Sequence, residues 1–339
     1  MARKTERIRV TSPEKSKLIN KNNKNLKKDF LSYLKSVQRS QGTIAGYDND
    51  LELVFTYILD ELDNKNFQNL TKRDIVSIQN WLVEKGNSPA RIRRIKAAMS
   101  SLSNYCENIL ADDDPDFENY RSIVRKIENP PLQPVREKTI WKDEELEGLL
   151  NELVDRKNFE KACWLALAMY SGRRKAELVR FKVDDFNDDR LVCDNALYKS
   201  SPILTKGNKM LECYTLAKKF KPYLNLWIDE RERLGVESEW LFPDPLDTTK
   251  HLDKNTCNSW AKTFTSIVGK DFYTHSLRHY YVTALVRAGI PDSVIVDIIG
   301  WSNAQMLSIY DDTPKEEKLS MYFKDGDIIT QTPGGFSDM

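Results

Sequence analysis

The sequence predicts a mainly α-helical chain with a small antiparallel β-sheet, divided into two domains. Three observations predict it. At 339 residues the chain is longer than one ordinary core supports, and chains of that size divide into domains. Apolar residues recur at helical spacing through most of both halves. Between them, Asn129-Pro130-Pro131-Leu132-Gln133-Pro134 places three prolines in six residues, which stops a helix and holds the chain extended. The expected divisions are a basic N-terminal arm at 1–25, a helical domain at 26–127, a linker at 128–140 and a second domain at 141–339.

The first 28 residues carry Arg3, Lys4, Arg7, Arg9, Lys15, Lys17, Lys21, Lys24, Lys27 and Lys28 against Glu6 and Glu14. Such a block reads either as a flexible arm drawn to phosphates or as a solvated, disordered terminus. In the first domain Phe30, Leu31, Leu34 and Val37 mark one helix, and Tyr47, Leu51, Val54, Phe55 and Ile58 mark the next. Thr71 can cap a helix through Ile75, Ile78 and Leu82. Ser88-Pro89 is a capping hydroxyl followed by a proline whose missing N–H costs nothing there. The helix it opens gathers Arg91, Arg93, Arg94 and Lys96, with Ile92, Ile95, Ala98, Met99 and Leu102 on the apolar side. This basic stripe is either a solvated face or a helix that tracks a phosphate backbone.

In the second domain, a helix rich in early acids (Asp143, Glu144, Glu145) begins near Trp141. Residues 160–170 form an apolar helix ending at Ser171-Gly172. Short strands are expected at Leu191–Cys193, Ile203–Thr205 and Met210–Leu216, with Lys206-Gly207-Asn208-Lys209 as a turn. Near the end, Pro314 can start a short helix through Phe323, with Leu319, Tyr322 and Phe323 on one side. The run Asp112-Asp113-Asp114-Pro115-Asp116 reads as a solvated loop after a helix, and no metal site is expected there.

The net charge of +1 decides nothing about partners by itself. Five scattered cysteines without a CxxC or paired histidines point away from structural zinc and from a disulfide scaffold. No apolar run approaches the roughly 20 residues that span a bilayer, and no signal peptide opens the chain. An intracellular, cytoplasmic protein without a membrane partner is expected.

The chemistry concentrates between Thr274 and Tyr310, in His275-Ser276-Leu277-Arg278-His279, Gly300-Trp301-Ser302-Asn303 and Tyr310. A second cluster, Ser171-Gly172-Arg173-Arg174-Lys175-Ala176-Glu177, lies about a hundred residues upstream. A phenol can be a nucleophile, and an imidazole can move its proton. A guanidinium forks onto two phosphate oxygens, and an indole N–H donates to a third. Together these residue types meet the demands of breaking a phosphodiester without a metal.

His275 to Arg278-His279, completed by Thr283, resembles the H-x-L-R-H-x-x-x-T signature of the tyrosine recombinases, the phage-type integrase family of Cre- and Xer-like site-specific recombinases. Ser171 to Glu177 is similar to their T-G-x-R-x-x-E box, and Gly300-Trp301 through Tyr310 to their G-[HW]-x8-Y box. Thr205 to Lys209 resembles the hairpin turn that carries the family lysine. The first half from residue 26, with Thr43-Ile44-Ala45-Gly46-Tyr47-Asp48, looks like the family's helical, SAM-like core-binding domain. Each motif alone is weak; their order and separations make the set specific.

The resemblance implies a two-domain DNA clamp, a core-binding domain followed by a tyrosine recombinase catalytic domain with an exchange tail from about residue 312. It implies cleavage through a 3′-phosphotyrosine ester, with no cofactor. A phenol of pKa near 10 is ionised in only about one molecule in a thousand at neutral pH, so Tyr310 needs a base, and His275 is the candidate. Arg174, chosen over Arg173 by box spacing, and Arg278 would clamp the phosphate, with donors from His275 and Trp301. Trp301 stands where many members have histidine, and it donates but cannot shuttle a proton. Lys206 is the candidate general acid, with Lys199 and Lys209 as rivals. Glu177 and His279 support the site, and Arg91, Arg93, Arg94 and Lys96 are the candidate DNA contacts.

The expected partner is double-stranded DNA with inverted-repeat sites, bound by a homotetramer that is a monomer or weak oligomer when free and nucleoid-associated when bound. Two other readings stay open: a non-catalytic DNA-binding relative, and a topoisomerase or telomere resolvase using the same chemistry.

Overall fold

In the computed structural model the described residues are 10–131, 138–205, 207, 209–324 and 327–328. The chain divides into two compact units at 137/138.

In the first unit each major helix starts on a capping side chain. Ser12 Oγ accepts from Lys15 N at 3.2 Å to open α1 (Pro13–Leu18), and Asn20 accepts from Asn23 N at 2.8 Å to open α2 (Lys21–Ser36). Ser40 caps α3 (Gln41–Glu61). Thr71 and Asp74 cap α4 (Lys72–Glu84) reciprocally, each satisfying the other's backbone N–H. Ser88 and Pro89 open α5 (Pro89–Tyr105) as their sequence predicts. Phe30, Leu51, Phe55, Ile75, Ile95 and Leu102 form the core between these helices.

Residues 13–18 and 21–25 of the expected flexible arm are helical. Ile19 and Asn23 are buried, and Asn23 binds Lys65 O and Phe67 N at 2.8 Å each. Lys15 pairs with Asp60, and Lys27 with Asp48 and Glu52. Two of the positive charges that suggested an arm, Lys15 and Lys27, thus have acidic partners on α3, which a count along the chain cannot reveal. Residues 1–9 lie outside the described residues. After α5 the chain continues through a π-turn (Cys106–Leu110) into α6 (Ala111–Asp113), so Asp112 and Asp113 are exposed on a last helical turn instead of in a loop.

The second unit is built around α8 (Phe159–Ser171), buried at every position from Ala162 to Ser171. A helix apolar on all sides needs neighbours all round. It has them in α7 (Asp143–Asp155), α10 (Ala217–Arg233) and α12 (Ser276–Arg287). The short α9 (Lys175–Leu178) follows α8, and α11 (Thr256–Val268) packs on α7. Then come α13 (Asp292–Ile299), α14 (Leu307–Tyr310) and α15 (Lys315–Ser320).

The strands differ from expectation in two ways. β1 (Leu191–Val192), β2 (Leu197–Lys199) and β5 (Tyr214–Leu216) form one antiparallel sheet in the order β1-β2-β5, with Tyr198 opposite Leu191 and Thr215. Its central strand β2 gave no sequence signal, being three residues long and following Cys193, Asp194 and Asn195, which all have positive φ. The expected strand over Met210–Leu216 is two strands. β4 (Met210–Leu211) pairs with β3 (Ile203–Leu204) in a separate hairpin, and the break falls at Cys213, whose N–H donates to Ser200 Oγ at 2.9 Å. A tail hairpin of β6 (Phe323–Lys324) and β7 (Asp327–Ile328) completes the described structure.

Candidate active site

Two glycines shape the site. Gly172 ends α8 in the left-handed region at φ 61°, where a Cβ would stand 2.4 Å from Tyr281 Cδ1. Gly300 ends α13 at φ 72°, where a Cβ would stand 2.1 Å from Leu211 Cδ2 on the β3–β4 hairpin. Both combine a backbone that favours glycine with space only glycine fits. Gly172 also turns its carbonyl to Arg278 Nη1, which donates to it at 2.9 Å.

The two adjacent arginines after Gly172 part company. Arg173 is buried, and its guanidinium donates to the Ile298 and Ile299 carbonyls at the C-terminal end of α13. It satisfies orphan helix carbonyls next to Gly300-Trp301. Arg174 is partly open. Its N–H and guanidinium donate to the two oxygens of Glu177 at 3.0 and 3.1 Å, holding the arginine at the start of α9.

α12 brings His275, Arg278 and His279 to the same place. Its first turn is seated by Trp141, whose indole N–H donates to Ser276 Oγ at 2.8 Å. Arg278 is fully buried, and its Nε and Nη2 find no partner among the described residues. The buried Trp301 Nε1 is likewise unpartnered there. Arg278 Cζ lies 5.4 Å from the ring centroids of both Trp301 and Tyr310. Burial, then the charge of Arg174, pushes Arg278 down to about 10, so it remains protonated at neutral pH.

The Tyr310 hydroxyl lies 2.8 Å from His275 Nε2. Burial, reinforced by His279, Arg278 and Arg174, pushes His275 down to about 4. At neutral pH the imidazole is therefore neutral and able to accept a proton. His279 stacks on Tyr310 with ring centroids 4.8 Å apart, and its Nδ1 is 3.1 Å from Asp312 Oδ2. Burial lowers the His279 pKa, opposed by Asp312. Buried N–H groups of arginine and tryptophan without protein acceptors are costly. Among the described residues, Arg278 Nε and Nη2 and Trp301 Nε1 thus stand as unpartnered donors beside a phenol held by His275.

Of the sequence candidates, Arg174, Glu177, His275, Arg278, His279, Trp301 and Tyr310 are thus brought together. Lys206 lies outside the described residues. Of its rivals, Lys199 pairs with Glu212, and Lys209 sits beyond the turn that Thr205 closes. Sequence reasoning missed Thr283 as an anchor: its Oγ1 accepts from Asp312 N at 3.0 Å, although the residue stood inside a recognised motif.

The basic stripe on α5 is two faces. At about 100° per residue Arg91 and Arg94 share one side, with Arg93 and Lys96 opposite. Arg91 and Arg94 both pair with the buried Asp50. Arg93 donates to Pro130 O at 3.0 and 3.2 Å, and the buried Lys96 to Ile127 O and Glu128 O at 2.9 Å each. Arg93 and Lys96, both expected as DNA contacts, therefore fasten the end of their own unit onto α5 in the free chain. Periodicity cannot see segment 127–130 folding back.

Residues 141–317 match the family model described as "Phage integrase family", and residues 28–107 match "Phage integrase, N-terminal SAM-like domain". The chain is similar to the SPbeta prophage-derived recombinase-like protein YomM of Bacillus subtilis (strain 168), 30% identical over 252 residues, covering 71% of this chain and 72% of that protein. A tyrosine recombinase of Thermosipho africanus (strain TCF52B) is 24% identical over 307 residues, covering 86% of this chain and 95% of its own. Among solved structures, XerH site-specific recombinase bound to a palindromic difH substrate aligns with a TM-score of 0.64 at 19% identity, covering 88% of this chain and 83% of that one. A lambda integrase tetramer bound to a Holliday junction aligns at 0.62 and 15% identity, covering 89% and 81%.

Proposed function

The chain belongs to the phage integrase family of tyrosine recombinases, and from that premise we propose that it cuts and rejoins DNA at specific sites through a 3′-phosphotyrosine intermediate. The observation that carries this reading is the 2.8 Å contact of Tyr310 Oη with a neutral His275, beside Arg278 N–H groups that lack an acceptor among the described residues. In the proposed step Tyr310 Oη bonds to phosphorus while its proton passes to His275 Nε2. The P–O5′ bond breaks, and the departing oxygen takes a proton from Lys206. Arg278 Nε and Nη2, Trp301 Nε1 and Arg174 meet the charge that grows on the non-bridging oxygens. The phosphotyrosyl ester retains the energy of the original bond, so rejoining needs neither ATP nor a metal. Arg91 and Arg94, each half of a pair with Asp50 but still partly open, remain the α5 candidates for backbone contact.

The test is a duplex selected from a randomised pool by binding to the full-length protein, then nicked beside the cleavage position. A recombinase traps a covalent adduct on it and exchanges strands between two intact copies of the site. A non-catalytic relative traps nothing, and a topoisomerase or hairpin resolvase gives relaxed or hairpin products.

The pH profile has a definite sign. His275 is the depressed kind of histidine, so its neutral form is available above about 4. Cleavage at subsaturating DNA, which reports the free enzyme, should keep its rate as pH falls past 6.5 and decline only towards about 4. The same shift contributes stability fully present above 6.5 and lost as pH falls through about 4. A half-maximal rate near 6.5 would remove the buried His275 from the role of base.

The tail is proposed to dock on a neighbouring protomer of a DNA-bound tetramer. Leu319, Tyr322 and Phe323 are about half exposed, at 47%, 51% and 53%. Arg287 donates to both carboxylate oxygens of Glu317, and Lys318 pairs with the nearly buried Asp311, which ties α15 to its own unit in the free chain. Deleting residues 315–339 should leave single-site binding within about twofold, since phosphate contacts elsewhere carry it, while recombination falls sharply. Full-rate recombination by the truncated protein, measured on paired sites, would rule out this coupling.

A further inference from the structure

We infer that Lys138 is a positioning residue for Tyr310. Its ammonium donates to Ile309 O at 3.0 Å, immediately before the tyrosine, and to Asp312 Oδ1 at 2.8 Å, two residues after it. The inference rests on the reading of Tyr310 as the nucleophile.

α14 is a single turn of four residues, Leu307–Tyr310. A helix that short has no stability of its own, and its last carbonyls have no intrahelical donors. Something outside it must set where the phenol stands. Ile309 O is one of those carbonyls, and a cation is the group best suited to it. Lys138 supplies that cation from 171 residues away in sequence. Its second bond fixes Asp312, which is nearly buried and lies against His279 Nδ1 at 3.1 Å. Asp312 N in turn donates to Thr283 Oγ1 at 3.0 Å, and Thr283 Oγ1 approaches Tyr310 O at 3.5 Å. The strand of chain from Ile309 to Asp312 is thereby fastened on both sides of Tyr310. One charge-assisted fork from Lys138 forms the outer clamp, and Thr283 and the His279 ring form the inner one.

A charge at this point holds the chain on both sides of the phenol through Ile309 O and Asp312 Oδ1. Its loss should move the phenol, and a displacement of about 1 Å can cost on the order of a hundredfold in rate.

The experiment uses the full-length protein with Lys138→Met and Lys138→Arg, and with Tyr310→Phe as the control that identifies the nucleophile. Adduct formation is timed at saturating selected and nicked duplex. Lys138→Met should slow it roughly tenfold or more, with duplex affinity and melting temperature little changed, and Lys138→Arg should restore most of the rate. In parallel, nitration of Tyr310 by tetranitromethane is followed by peptide mass spectrometry on the DNA-free protein. It should accelerate in Lys138→Met and return to normal in Lys138→Arg. Unchanged rates of both adduct formation and nitration overturn the inference. So does a slow Lys138→Met accompanied by an equally slow Lys138→Arg and a matching loss of melting temperature, since that marks a general stabiliser. A wild-type protein that forms no adduct defeats the reading of the site, and the nitration arm still decides whether Lys138 places the tyrosine.

Discussion

Tyr310→Phe should bind its DNA within about threefold of the wild-type affinity, because phosphate contacts elsewhere carry the binding, and should form no covalent adduct at all. The substitution deletes one oxygen from a ring that is 5% exposed, stacked on His279 and Trp301. Packing is preserved, and the fold loses only the bond to His275 Nε2, worth about 0.5–1.5 kcal/mol. The proposed chemistry loses its nucleophile. In the wild type the adduct should form equally well in excess EDTA, since the charge at the phosphate is met by Arg174, Arg278 and the Trp301 donor. An adduct in the phenylalanine variant would move the nucleophile elsewhere. Its near neighbours Tyr280 and Tyr281 are poor substitutes, because burial raises both phenols and Tyr281 stands at about 12. Inhibition by the chelator, reversed by magnesium, would replace the proposed chemistry with a metal-dependent one.

The second large effect is at the phosphate clamp. Arg174→Ala and Arg278→Ala should each lower the single-turnover cleavage rate by roughly 10²–10³ or more, the scale of losing a preorganised donor to developing charge. Affinity for duplex should fall much less. The two variants should differ in stability. Arg174 is partly open, so its removal opens no cavity, and the cost to the fold is the buried Glu177 carboxylate left without its guanidinium partner. Arg278 is fully buried and donates to Gly172 O, so its removal opens a cavity and strands that carbonyl. Arg278→Lys separates the two effects. It keeps a positive charge and loses the planar fork, so it should recover stability before rate. If affinity and rate fall together in both alanine variants, these arginines are ordinary backbone contacts and the oxygens are stabilised by other groups.

The helices of the first unit were legible because their start signals are local: Ser88-Pro89 and Thr71 cap the helices they announce. Strand β2 was not legible, because three residues after a run of positive-φ positions carry no period to detect. The basic N-terminal segment and the α5 arginines were legible as charge but not as structure. Asp48, Glu52 and Asp60 take up Lys15 and Lys27, and Asp50 takes up Arg91 and Arg94, across 21 to 45 residues of chain. Charge counted along the sequence says how many cations there are. It does not say which of them are already paired.

By itself the sequence determined the chemical inventory: a phenol, a neutral-capable imidazole, two guanidiniums and an indole in boxes whose spacing resembles one family. Those are covalent facts, and motif spacing preserves them. Box spacing favours Arg174 over Arg173, but only the tertiary structure shows what each of the two adjacent arginines holds. Arg173 turns to the end of α13, and Arg174 stays with Glu177. It also decided that His275 is neutral, since burial and neighbouring positive charges, not residue type, lower its pKa. And it decided that Lys138 grips the chain on either side of Tyr310. Burial, pairing and reach depend on what the folded chain brings within a few ångströms, and that distance bears no fixed relation to separation along the sequence.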